Sequence, residues 1–105
     1  MNELFAAKIL SVAPIPPGFE VRVTHTEWLP GQPQKTTDLY EFPVIGWATV
    51  QPLNSELVRI EPVFLWDGEP TTSSQYRGVW SNLKPDPGEP KQTVGIKVIH
   101  PKDIR

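Results

Sequence analysis

The chain contains no cysteine. Disulfide frameworks, zinc–thiolate centres and thiol nucleophiles are therefore excluded. Histidine is scarce, with two residues, His25 and His100, far apart in the sequence. Basic residues are not concentrated: ten Lys and Arg stand against twelve Asp and Glu, with no basic run of three and a net charge of −2. A dedicated nucleic-acid binder usually carries a basic stripe, so this balance disfavours a large phosphate-binding surface. No stretch approaches the roughly 18 apolar residues that span a bilayer. Residues 1–12 include Glu3 and Lys8 and lack an apolar run of signal-peptide length. The expectation is a soluble, cytoplasmic protein with no membrane partner, to which the interior of a virus particle is equally suited.

Proline is abundant, at 13 of 105 residues. Each proline inside a helix costs about 3 kcal/mol. Only residues 1–13 and 71–84 offer a proline-free stretch long enough for an ordinary helix, which argues against an α-rich fold. Leu, Ile, Val and Phe supply 29 residues and Trp four, enough for a single folded domain over 1–105 with a core that needs no metal or disulfide.

Five segments read as strands. Residues 5–12 balance Ile9, Leu10 and Val12 against the helix-favouring Ala6, Ala7 and Lys8, and are assigned as strand. Residues 19–28 alternate with period two, Phe19, Val21 and Val23 on one face and Glu20, Arg22 and Thr24 on the other. Residues 44–50 follow a lead-in over 38–42, with Pro43 marking an edge, bulge or break and Gly46 a bend or close backbone approach. Residues 57–66 place Val58, Ile60, Phe64 and Trp66 on one face and Arg59 and Glu61 on the other. Asp67-Gly68 is a turn signal. Residues 93–100 direct Val94, Ile96 and Val98 inward. Between the last two strands, 69–92 reads as one long irregular loop. Tyr76, Val79, Trp80 and Leu83 have helical spacing within it, and Ser73 or Ser74 is a candidate cap. The expected fold is all-β: a small antiparallel five-stranded barrel, SH3-like, or a sandwich.

Catalytic patterns are weak. His25 and Glu27 share a strand face but lack a third ligand for a metal site. Ser73, Ser74 and Ser81 sit in no nucleophile motif, and Asp67 and Glu69 flank a turn glycine, where acids are normally solvated. No glycine-rich phosphate loop is present. No catalytic residue, metal or cofactor is expected.

Aromatic residues are the better prospect. Trp28, Trp47, Trp66 and Trp80, with Tyr40 and Tyr76, are candidates for a binding groove of the kind that holds peptides or stacked bases. Trp47 and Trp66 read as core, whereas Trp28 and Trp80 lie beside loops. The expected binding residues are Trp28, Tyr76, Arg77 and Trp80. The pattern resembles the small β-barrel modules common in bacterial and phage proteins, a resemblance of architecture that carries no functional residue across. The expected role is a non-enzymatic protein-binding or assembly module with a protein partner or a second copy of itself. The alternative is a nucleic-acid-binding barrel using Arg22, Arg59, Arg77 and Lys97. A cluster of Trp28 with Trp80 favours the first, and a coherent positive patch the second.

Overall fold

Alternation dictates the centre of the molecule. In the computed structural model, which describes residues 7–100 and Lys102, β2 (Glu20–Trp28) buries Val21 and Val23 completely and turns Glu20, Arg22 and Thr24 away. It pairs antiparallel with β6 (Lys91–Ile99) on one side and with β3 (Lys35–Pro52) on the other. The chain order is completed by β1 (Ala7–Pro14), β4 (Arg59–Trp66), β5 (Glu69–Thr72) and one helix, α1 (Ser73–Trp80).

Strand β3 joins the two parts of the sheet. Its first half, up to Pro43, pairs with β2, and its second half lies between β1 and β4. Pro43, which has no N–H to give to a ladder, stands at the changeover. The sheet runs β5-β4-β3-β2-β6, with β1 attached to β3 alone. The protein is thus all-β, but the five-stranded SH3-like barrel is not what forms: among the described residues six strands make a sheet that does not close. The difference lies in 69–92. Instead of one irregular loop, this stretch holds β5 and α1, and an isolated Asn82–Gln92 bridge closes the remaining turn-rich segment.

A bulge between Val44 and Gly46 decides which side chains are buried. A one-residue slip moves every later side chain to the other face of the pairing. Val44 lies opposite Phe64, but Gly46 and Ala48 lie opposite Val63 and Glu61. Two clusters result. The main one contains Val21, Val23, Val44, Phe64, Tyr76 and Val94, with Ile96 and Val98 packed against it. The small one contains Ala48, Val50 and Val63. The apolar face expected for β4 is therefore broken: Phe64 is core, while Val58 and Ile60 are exposed and Glu61 is buried. Pro62 lies opposite Trp47 in the β3–β4 ladder, one residue before the β4–β5 ladder begins at Val63.

Candidate functional site

The main core has an open end. Along β2 the inward face continues from Val21 and Val23 to His25. Along β3 the matching positions are Phe42, Tyr40 and Asp38, and the register sets His25 directly opposite Asp38. Along β4 the same stripe ends at Trp66 and meets the Asp67-Gly68 hairpin, whose two residues have φ of 53° and 76°. Positive φ at both central positions is the requirement of a type I′ turn, which Asp-Gly satisfies. Helix α1 covers the remaining side with Tyr76 and Trp80, one helical turn apart on one face. Together His25, Asp38, Tyr40, Phe42, Trp66, Asp67, Tyr76 and Trp80 line a groove of about 390 Å³.

The rings hold one another edge to face. His25 lies 5.7 Å from Tyr40, 5.6 Å from Tyr76 and 5.5 Å from Trp80, centroid to centroid. Trp66 adds T-shaped contacts to Tyr76 and Trp80. These are the arrangements that aromatic quadrupoles prefer. A hydrogen bond of 2.7 Å joins His25 Nε2 to the Tyr76 hydroxyl. Burial, with smaller contributions from Tyr40 and Asp38, pushes that hydroxyl up to about 12, so Tyr76 keeps its proton throughout the neutral range. Tyr40 and Trp80 remain 45% and 43% exposed, leaving ring surface free for a ligand.

Among the expected binding residues, Tyr76 and Trp80 meet in this groove. Trp28 does not join them. It lines a separate concavity with Leu29, Pro30, Leu83 and Pro85, and Lys91 Nζ lies 6.0 Å from its ring centroid. Arg77 points its Nε at the Val94 carbonyl, 3.3 Å away, and so ties α1 to β6. Sequence reasoning singled out neither Asp38 nor the pairing of His25 with Tyr76. Extending the Phe19–Val23 alternation by one more step would have placed His25 on the inward face.

Two of the basic residues singled out by the sequence are neutralised by carboxylates. Arg22 pairs with Glu41 and Arg59 with Glu61, each within 3.4 Å. Lys97 lies across from Arg22 on β6. No three potential ligands converge on a metal position among the described residues, and no helix among them is long and apolar enough to cross a membrane. A third groove, between β1, β3 and α1, is lined by Ala7, Ile9, Val50, Thr72 and Val79 among others, and offers shape without titratable groups. No protein-family model, curated protein or solved structure matches the chain.

Proposed function

We propose that the protein is a binding module that seats a segment of a partner protein in the His25–Trp80 groove. The observation that carries this reading is the partly exposed aromatic lining, Tyr40 and Trp80, on a support of partly buried Phe42 and buried Phe64 and Tyr76. Rigid aromatic side chains provide contact area at low entropic cost and dominate interface energies. Nucleophilic catalysis has less support here: among the described residues no Ser, Thr or Lys lines the groove, and His25 Nε2 is engaged by Tyr76. Nucleic-acid binding has less support too, since Arg22 and Arg59 are paired with carboxylates. Self-association has its own support in β1, which pairs only with β3 among the described residues and exposes Ile9, Leu10 and Val12. An exposed apolar edge strand is a template for another chain.

One capture experiment tests the module. Tagged wild type, Trp80→Ala and Trp28→Ala are each used as bait in lysate of the source cells, with and without nuclease. The expected result is a stoichiometric protein held by wild type and Trp28→Ala and lost with Trp80→Ala. A second copy of the chain as the captured species assigns the self-association reading. Equal retention by Trp80→Ala, or loss of the captured protein on nuclease treatment, overturns the groove-binding role.

A further inference from the structure

We propose that the His25–Trp80 groove recognises the guanidinium group of an arginine carried by the partner. The inference rests on the binding reading above and gives its ligand a chemical class.

Three features of the groove converge on this group. The first is its lining. The faces of Tyr and Trp rings carry partial negative charge and attract cations within about 6 Å, and among the described residues the lining contains no Lys or Arg to compete. The second is the pair of carboxylates. Asp38 and Asp67 are exposed on the groove, and neither carboxylate makes a hydrogen bond or ion pair with any described residue. Both are fixed in position, Asp38 by the β2–β3 register and Asp67 by the hairpin turn. The third is shape. A groove of about 390 Å³ is at the small end of ligand sites and suits one side chain with its flanking backbone.

These features select among cations. A guanidinium is planar, weakly hydrated and carries five N–H donors, so it can stack on Tyr40 or Trp80 while donating to a carboxylate. A lysine ammonium is more strongly hydrated and cannot stack. A trimethylated ammonium suits aromatic faces but has no N–H for Asp38 or Asp67. Phosphate and carboxylate ligands meet like charge.

The probe is a set of immobilised decapeptide libraries, randomised except at a central residue fixed as arginine, citrulline, lysine or trimethyllysine. Citrulline keeps the shape of arginine and removes its charge. The expected result is selection of arginine peptides by wild type, with binding about tenfold weaker for the citrulline versions of the selected sequences. The Asp38→Asn/Asp67→Asn variant is expected to lose a similar factor, and wild-type affinity to fall as salt rises. Asn-Gly supports the same type I′ turn, so Asp67→Asn removes charge and preserves the hairpin. Near-UV circular dichroism checks that the aromatic cluster stays packed. The citrulline comparison needs no protein variant and stands even if the double variant is perturbed.

Equal binding of arginine and citrulline peptides overturns the inference, as does preference for trimethyllysine or failure to select any library. The binding-module reading is judged separately. If the captured protein is lost with Trp80→Ala but retained by the double variant, the groove binds its partner without an arginine, and only the present inference falls.

Discussion

Tyr76 links the core to the groove. Its ring is 1% exposed and touches Phe42, Phe64, Trp66 and Trp80, while its hydroxyl reaches the one histidine on the groove wall. That burial leaves a signature in alkali. In the unfolded chain a tyrosine ionises near 10, whereas Tyr76 in the fold holds its proton to about 12. Between those values the folded state binds more protons than the unfolded state. Stability contributed by this group is complete below pH 10 and is lost as pH rises toward 12. Tyr76→Phe removes both the hydrogen bond and the titration. It is expected to cost about 1 kcal/mol at neutral pH, where a single hydrogen bond is lost beside solvent. The difference from wild type should then shrink as pH rises above 10. Urea midpoints of the two proteins at pH 8 and pH 11 check this, and parallel pH profiles would contradict it.

At the scale of elements, α1 is short, 8 residues, and has no acidic side chain in its first turn. The negative charge its N-terminus favours comes from another strand. Glu61 of β4 accepts from the Ser74 N–H at 2.8 Å and from its hydroxyl, and Arg59 Nη2 lies 3.2 Å from the same carboxylate. A capping box closes the start: Thr72 accepts from the Gln75 N–H and the Gln75 side chain accepts from the Thr72 N–H. Glu61→Gln, which leaves shape but removes charge, is expected to destabilise by about 2 kcal/mol and Thr72→Ala by about 1 kcal/mol. Arg59→Ala should cost under about 1 kcal/mol, because half of that side chain is in solvent. Denaturant unfolding measures these values, and the Trp80 environment reports whether α1 stays docked. An Arg59→Ala effect as large as that of Glu61→Gln would show that the ion pair, not the helix terminus, holds the carboxylate.

The same elements show what the sequence made legible. Strand β2, the Asp67-Gly68 turn and the close approach at Gly46 follow from alternation and turn chemistry, and the structure contains all three. The Thr72-Ser73-Ser74-Gln75 run carried a capping-box pattern that fixes the helix start one residue earlier than the serines considered. Strand β5 was hidden because it is four residues long and includes Pro70, tolerable only on an edge. Of the first half of β3 only 38–42 was legible, as a lead-in to 44–50, because Lys35 to Tyr40 are exposed and do not alternate. Burial of Glu61 and exposure of Ile60 depend on the bulge at 44–46, and no local pattern announces a slip in pairing with a strand fifteen residues away. The groove was half visible. Tyr76 and Trp80 follow from helical spacing, but their meeting with His25, Asp38 and Asp67 is a product of strand register.

The whole molecule is two unequal halves sharing one strand. The main cluster spans β2, β3, β4, β6 and α1, whereas the small one spans only β3 and β4, with Ala7 of β1 against it. A radius of gyration of 14.9 Å exceeds the roughly 13 Å of a domain this size, consistent with a part that packs thinly. Strand β1 is that part: from Lys8 to Pro14 it is exposed throughout. Its position depends on Gly46, where an added Cβ would come 2.7 Å from the Ala13 carbonyl oxygen, a backbone atom with little freedom to yield. Gly46→Ala should therefore displace β1 at a cost of about 1–3 kcal/mol, the usual range for overpacking. Because little core rests on β1, the damage should remain local. Hydrogen exchange followed by NMR is expected to show β1 amides losing protection in Gly46→Ala while those of Val21 and Val23 keep theirs. Equal loss of protection in β1 and β2 would mean that the small cluster and the main core unfold as one unit. In that case the groove, which rests on β2, β3, β4 and α1, would inherit every disturbance of the β1 edge.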